Sequence, residues 1–316
     1  MNDTVISVVV PIYNEENNIR PLFERIQKAL IDLGKTFEII LVNDASTDGS
    51  GPLLEELQRS HRGVVVIHLF KRSGKAVALE RGFDVIKGEY VVTIDADLQH
   101  DPEDIPQLIQ KMEEGYDVVS GKRMDRHDSV GKIVTSRIFN ILMRLVTGLR
   151  FDDYFSGLKC FRVNVIRFLA LYGDLYRFAA VFAYKEGFRV IEIPTAHHKR
   201  ASGKSKYSPL MRFNRAVQDL ITVMFSITFS RKRVYYLGVL GLFLISVGLV
   251  LIMVAFYVWG IRAVAFEYVY GTYGIILIFL GLQAILIKSV ADRFYERHFE
   301  EFQHRKRNVK SILGRE

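Results

Sequence analysis

A chain of 316 residues has room for one large domain or two ordinary ones, and its 49% hydrophobic content is near the globular average. Cys160 is the only cysteine, which excludes an intrachain disulfide and suits a reducing compartment. The net charge of +8 raises nucleic acid as a partner, but the basic residues gather beside long apolar runs. An anionic lipid bilayer is therefore the expected partner, and nucleic acid is not.

In chain order, Ile6 to Ile12 reads as a buried strand ending in Pro11-Ile-Tyr13-Asn-Glu15-Glu. Helical spacing of Ile19, Leu22, Phe23, Ile26 and Leu30 predicts a helix from about Asn17 to Leu33. Phe37 to Val42 is a second strand, stopped by the turn-rich Asn43-Asp44-Ala-Ser-Thr-Asp-Gly49. Leu53 to Gln58 is predicted helical, Val64 to Leu69 a strand, Ala76 to Ile86 a helix and Tyr90 to Ile94 a strand. Later strands are expected at Val118 to Ser120 and Val190 to Ile193. This alternation implies a doubly wound, mostly parallel α/β sheet with right-handed crossovers. No internal repeat or low-complexity linker interrupts it.

Beyond Arg200 the character changes. Met211, Phe213, Val217, Leu220, Ile221 and Met224 alternate with Arg212, Arg215 and Asp219, as in a helix lying at a membrane interface. Tyr235 to Val258 and Tyr268 to about Ile287 are nearly uncharged, and each is long enough to cross a bilayer of about 30 Å. Arg231, Lys232 and Arg233 precede the first run; Lys288, Arg293 and Arg297 follow the second. The positive-inside tendency then places both termini and the large amino-terminal domain in the cytoplasm of a multi-pass inner (cytoplasmic) membrane protein. No signal peptide is expected before the first strand, because Asp3 stands where a basic region would be. The expected divisions are a catalytic domain over 1–207, interfacial helices over 208–233, a transmembrane hairpin over 234–290 and a cytoplasmic tail over 291–316, charged and helical from Asp292 to Arg315. Two short spans also leave apolar faces through which copies could associate into a homo-oligomer.

The chemistry concentrates after the fourth predicted strand, where Asp95, Asp97 and Gln99 recur at intervals of two. Alternation along an extended chain would send all three to one side. Hard oxygen ligands at a strand's carboxyl end suit Mg²⁺ or Mn²⁺ holding a diphosphate. Glu15 and Asp44 follow adjacent strands and would reach the same edge, where acidic groups can accept hydrogen bonds from a base or ribose, and Tyr13 can offer an aromatic face. Lys71-Arg-Ser-Gly-Lys75 lacks the spacing of a Walker loop, so an ATPase is not indicated; Lys75 is placed near a diphosphate or at the start of a helix. His197 and His198 have no ligand partner at useful spacing and are read as structural or surface residues.

Several segments together carry a family resemblance: Val10-Pro-Ile-Tyr-Asn-Glu-Glu16, Val42-Asn-Asp-Ala-Ser-Thr-Asp-Gly49, Gly74-Lys-Ala-Val-Ala-Leu79, Asp95-Ala-Asp-Leu-Gln-His-Asp-Pro102, Ser120-Gly-Lys-Arg123, Ser156-Gly-Leu-Lys159 and Arg200-Ala-Ser-Gly-Lys-Ser-Lys-Tyr207. In this order they resemble the inverting glycosyltransferases of family two, with the GT-A fold. Within that family the chain is most similar to polyprenyl-phosphate sugar transferases of the dolichol-phosphate mannose synthase and bacterial membrane-anchored glucosyltransferase type. The resemblance covers about Ile6 to Ser208 and implies that Pro11, Tyr13, Glu15 and Asp44 surround the nucleoside, with Lys75 nearby. It implies that Asp95, Asp97 and Gln99 bind metal and diphosphate. Arg123, Arg200, Ser205 and Lys206, with Ser136 and Arg137 on an amphipathic stretch from about Lys132 to Val146, would receive the acceptor phosphate. Asp153 matches a family aspartate assigned as base or acceptor-site carboxylate, although Asp152 beside it also qualifies. A carboxylate there would repel an incoming phosphate, so orienting the sugar or the phosphate-binding arginines is an alternative role.

The expected reaction is transfer of a hexose, with glucose from UDP-glucose favoured and mannose from GDP-mannose second, to polyprenyl phosphate at the inner leaflet with inversion. A processive polysaccharide synthase would carry a Gln-x-x-Arg-Trp motif, whereas the sole tryptophan here is Trp259. A membrane-tethered transferase with another acceptor, and a non-enzymatic scaffold, are the remaining alternatives.

Overall fold

The computed structural model describes residues 5–124, 130–169, 173–198, 231–260, 266–305 and 309–313. The chain divides into two compact units, one comprising Met1–Met224 with His304–Glu316 and the other Phe225–Gln303.

Eight strands form the sheet of the first unit: β1 (Ile6–Ile12), β2 (Phe37–Asn43), β3 (Val64–Leu69), β4 (Tyr90–Thr93), β5 (Val118–Arg123), β6 (Lys159–Arg162), β7 (Val190–Thr195) and β8 (Val309–Leu313). Their spatial order is β7-β5-β6-β4-β1-β2-β3-β8. β4, β1, β2 and β3 run parallel, as do β5 and β7, while β6 lies antiparallel between β4 and β5. The central strands are runs of valine and isoleucine buried on both faces, the pattern of a parallel sheet covered by helices. Helices α1 (Glu16–Asp32), α2 (Ser50–Ser60), α3 (Lys75–Phe83) and α4 (Ile105–Glu113) supply that cover. The core draws on Phe23, Ile26 and Leu30 of α1 and on Leu108, Ile109 and Met112 of α4.

Further elements are α5 (Val130–Thr147), α6 (Val163–Leu169), a 3₁₀ turn at Gly173–Phe178 and α7 (Ala179–Lys185). The parallel register sets Ile12 beside Asn43 and Val9 beside Thr93, so the carboxyl ends of β1, β2 and β4 share one edge. All three non-glycine residues with positive φ among the described residues follow those ends: Asn14 (54°), Ala45 (54°) and Leu98 (58°). Left-handed backbone at asparagine is common, but at leucine it is an outlier of the kind found at functional turns.

The carboxyl-terminal segment departs from the expected helix. Helicity ends at Arg305, and Val309–Leu313 adds to the sheet as β8, antiparallel to β3 with Ile67 opposite Ile312. Val309-Lys-Ser-Ile-Leu313 has too little helical periodicity to extend the preceding helix, and it meets main-chain donors and acceptors that β3 would otherwise expose.

Among the described residues the second unit contains two helices, α8 (Arg231–Gly260) and α9 (Phe266–Arg305). Within them Tyr235–Trp259 (25 residues) and Tyr268–Val290 (23 residues) are long and apolar enough to cross a membrane. Only 11% and 17% of their most apolar windows are buried, so these are not core helices. Glycine pairs one heptad apart bring the backbones together: a Cβ on Gly241 would meet the Gly281 carbonyl oxygen at 2.7 Å, and one on Gly248 would meet that of Gly274 at 2.7 Å. Small residues at the crossing are how helices pack when no hydrophobic effect drives them together. The 208–230 stretch expected to be interfacial lies outside the described residues.

Candidate active site

The loops after β1 and β2 are stitched to one another. Asn14 N–H donates to Ser46 Oγ (3.1 Å), Thr47 N–H to Asn14 Oδ1 (2.8 Å) and Glu15 N–H to Ser50 Oγ (3.2 Å). Glu15 also accepts from Asn18 Nδ2 (2.6 Å) at the start of α1. Asp44 is buried, and its two oxygens accept the main-chain N–H groups of Ser73 (2.6 Å) and Gly74 (2.8 Å). Burial raises the Asp44 carboxyl above its ordinary range, against the pull of those hydrogen bonds and Arg72. Asp44 thereby fixes the loop that launches α3, whose Gly74 has φ of 91°. The same loop sets the Arg72 guanidinium 4.1 Å from the Tyr13 ring in a cation–π stack, and Pro11, near the end of β1, is half-buried.

Lys75, the first residue of α3, forms an ion pair with Asp95. Burial alone would raise the Asp95 carboxyl, but Lys75, then His100 and Lys159, bring it below the usual range. Tyr176 lies with its ring centroid 5.5 Å from the Lys75 ammonium and 6.0 Å from that of Lys159. Gly157 lines the other side of Asp95, and a Cβ there would collide with the carboxylate.

The alternation argument for Asp95, Asp97 and Gln99 does not hold. β4 ends at Thr93, and the acidic residues lie in a turn that reverses through Leu98. Asp97 Oδ1 accepts the Gln99 N–H (3.2 Å), and the Gln99 carbonyl accepts from His198 N–H (2.8 Å). Asp95, Asp97 and Gln99 are half-buried on this turn. His198 Nε2 in turn lies 2.9 Å from Asp101 Oδ2, a structural tie.

A second centre forms after β5. Arg123 grips Asp153 in a bidentate pair, Nε to Oδ2 at 2.6 Å and Nη2 to Oδ1 at 2.8 Å. Asp153 is only 1% exposed and also accepts the N–H groups of Arg123 and Phe155 (both 3.3 Å). Asp152 points to Lys122 (2.5 Å) and Arg144 instead.

Sequence reasoning did not assign Lys159 or His100 to the site. Lys159 is 1% exposed and donates to the carbonyls of Ser156 (2.7 Å) and Arg177 (3.4 Å). Burial, then the neighbouring Lys75, lowers its ammonium to about 7, with Asp153 and Asp95 opposing. His100 Nε2 accepts the Gly157 N–H (3.1 Å), and burial lowers its imidazole to about 4. Tyr176 stands beside both Lys75 and Lys159, Gly157 ties His100 to the Asp95 carboxylate, and the charges of Asp153 and Arg123 also act on Lys159, so the two centres meet here. A lysine inside the run Leu158-Lys-Cys-Phe161 was the available signal, because buried lysine is rare unless partnered.

Ser136 and Arg137 fall on α5, described there by its backbone alone, while Arg200, Ser205 and Lys206 lie outside the described residues.

The sequence profile of Glycosyl transferase family 2 matches residues 7–180, more than half of the chain. The chain belongs to glycosyltransferase family 2. Among curated relatives of this glycosyltransferase is the undecaprenyl-phosphate 4-deoxy-4-formamido-L-arabinose transferase of Edwardsiella ictaluri (strain 93-146), 35% identical over 284 residues, with 89% of this chain and 85% of that one covered. The enzyme of the same description from Pseudomonas aeruginosa (strain LESB58) is 37% identical over 221 residues, covering 70% and 65%. Among solved structures, glucosyl-3-phosphoglycerate synthase from Mycobacterium tuberculosis with Mn²⁺, UDP and glucosyl-3-phosphoglycerate shares the fold at a TM-score of 0.54 and 20% identity, over 71% of this chain and 80% of that one. The transferase's mostly parallel sheet is thus a GT-A domain.

Among the described residues of the glycosyltransferase, no three His, Cys, Asp or Glu side chains are grouped to hold a metal ion by themselves. Asp95 and Asp97 nevertheless fit one. Mg²⁺ is commonly held by one or two carboxylates plus substrate phosphates, and Asp95 already accommodates a cation in the Lys75 ammonium.

Proposed function

We propose that this glycosyltransferase transfers a sugar from a nucleotide diphosphate donor to the phosphate of a polyprenyl phosphate at the cytoplasmic leaflet, with inversion. The observation that carries this reading is the convergence of two phosphate-suited centres on buried Lys159. One is the acidic Asp95 turn with Lys75; the other is the Arg123 guanidinium held by Asp153. Relatives named as undecaprenyl-phosphate transferases support the choice of acceptor.

In this reading the nucleoside lies against Pro11, Tyr13, Glu15 and the loop that Asp44 fixes. Asp95 and Asp97, with Gln99 on the same turn, hold Mg²⁺ or Mn²⁺ at the donor diphosphate. The bound cation would stabilise charge gathering on the leaving diphosphate. Lys75 stands ready to meet a diphosphate oxygen as a point charge. Arg123, Ser136, Arg137, Arg200, Ser205 and Lys206 receive the acceptor phosphate. Its oxygen attacks the anomeric carbon as the bond to the diphosphate breaks. No strong base is needed, because a phosphomonoester with a second pKa of about 6 is already largely ionised. The Asp153 oxygens are engaged by Arg123 and two main-chain N–H groups, which favours orientation over proton abstraction as its role.

The membrane helices then have a physical reason. A prenyl chain cannot leave the bilayer without exposing apolar area, at about 25 cal/mol per Å². Among the described residues the chain runs through two apolar helices and returns to pair β8 with β3. An even number of crossings agrees with catalytic domain and tail on one side, and the flanking basic residues favour the cytoplasm.

UDP-glucose is the first donor to test and GDP-mannose the second; the relatives add nucleotide-activated 4-deoxy-4-formamido-L-arabinose. Purified full-length protein with this panel should release nucleotide from one donor only when polyprenyl phosphate is present. Release that ignores the acceptor argues against the reading.

A further inference from the structure

Glu192, on β7, accepts two successive main-chain donors: Oε1 takes the N–H of Asp153 (2.7 Å) and Oε2 that of Asp152 (2.8 Å). A carboxylate bonded this way fixes the orientation of the peptide between them. From that fixed turn the side chains part, Asp153 to Arg123 and Asp152 to Lys122 and Arg144. The remaining support comes from α5, where Arg144 Nε donates to the Phe151 carbonyl (3.0 Å) and Asn140 to that of Asp152. We propose that Glu192 is a positioning residue for the acceptor-phosphate site, holding the Asp152–Asp153 turn so that Asp153 presents Arg123 at a fixed angle. This rests on Arg123 receiving the acceptor phosphate.

The charged and titratable groups facing Glu192 are Lys122 on β5, Arg144 on α5, and Asp152, Asp153 and Tyr154 in the turn. Burial first, and then the charge of Asp153, push its carboxyl up to about 7, although the Asp153 N–H, Lys122 and Arg144 pull the other way. The global linkage is therefore unfavourable to the ionised form. The folded state binds this proton more tightly than the unfolded chain, so the contribution to stability is present below the ordinary glutamate range and lost as pH rises through about 7. The local effect is opposite, since only the ionised carboxylate offers both oxygens fully to the two N–H groups. A carboxylate kept at such a position against overall stability is the pattern expected of a functional group.

The experiment uses full-length protein in detergent and the variant Glu192→Gln, whose amide keeps one acceptor and turns an NH₂ toward the other N–H. The expected result is a rise of about tenfold in KM for polyprenyl phosphate, with donor KM within about twofold of wild type. The ratio of wild-type to variant acceptor kcat/KM should fall as pH drops through about 7, a comparison that cancels titration of the acceptor itself. Hydrogen exchange gives a readout that requires no substrate. After correction for intrinsic rates, the Asp152 and Asp153 amides should exchange faster in Glu192→Gln, and faster in wild type at about pH 6 than at about pH 8.5. Equal protection of those amides in wild type and Glu192→Gln overturns the proposal, and if that variant fails to fold, equal protection in wild type and the shorter Glu192→Asp does so. So does an unchanged acceptor KM, or donor and acceptor KM rising together. If another acceptor proves to be the substrate, the reading of the function falls, while the exchange data and that acceptor's KM still decide the role of Glu192.

Discussion

The ammonium of Lys75 rests on the carboxylate of Asp95, with the Tyr176 ring beside it. Burial alone would lower the ammonium, but Asp95 and Tyr176 hold it above its ordinary value. Asp95 thus carries a cation before any donor arrives, and under the proposed function a divalent ion competes with Lys75 for this carboxylate. Lys75→Met is expected to tighten Mn²⁺ binding without donor by about tenfold, or about 1.4 kcal/mol, while slowing sugar transfer. Titration of full-length protein followed by electron paramagnetic resonance checks this, and unchanged affinity would contradict it.

Gly157 makes a second prediction about the same carboxylate. Any Cβ at this position meets Asp95, so Gly157→Ala must turn the acid away or shift the turn that carries it. Since misplacement by about 1 Å can cost about a hundredfold in rate, turnover should fall by at least that much. Donor saturation kinetics measure the loss, and a rate near wild type would show that Asp95 is not held where the chemistry needs it.

The Arg123–Asp153 pair separates a base from an orienting group. Asp153→Asn preserves shape but leaves the guanidinium without its charged partner. Breaking a buried pair costs about 3 kcal/mol, and the expected value is lower here because Arg123 is partly exposed. Acceptor KM should rise while donor KM holds, and the slope of kcat with pH should be unchanged. A kcat loss that hydroxide restores would instead identify Asp153 as a base.

Lys159 gives the stability a signature in pH. Its ammonium falls from 10.5 in the ordinary range to about 7 when folded. Below about 7 both states are charged and the burial penalty is complete; as pH climbs toward 10.5 the folded lysine is neutral and the penalty fades. Lys159→Met should raise the thermal midpoint at mildly acidic pH. The gain should shrink and then reverse in alkali, where wild type keeps the bonds to Ser156 and Arg177. Calorimetry across that window decides, and a constant offset would contradict the assignment.

Strands β1, β2 and β4 were legible because unbroken β-branched runs require burial on both faces. β6 was not: Lys159-Cys-Phe-Arg162 is short, has charge at both ends, and exists only by antiparallel insertion between β4 and β5. β8 is similarly defined by its partner, β3. Helix α4 is not among the expected elements although Ile105, Leu108, Ile109 and Met112 have helical spacing, because Pro102 and Pro106 at its start read equally well as a turn. At the site, residue types pointed to Asp95, Lys75, Arg123 and Asp153, yet the turn geometry did not, since nothing in the letters announces a left-handed Leu98. The ties from Glu192 to Asp152 and Asp153 span about 40 positions in the chain, beyond what local pattern conveys.

The most direct measurement is release of nucleoside diphosphate by purified full-length protein, with and without polyprenyl phosphate and with Asp97→Ala as control. Metal-dependent release that requires the lipid phosphate, yields a glycosylated lipid of inverted anomeric configuration and vanishes in the variant is the predicted result. Release unaffected by the lipid phosphate, or undiminished in Asp97→Ala, would contradict the account.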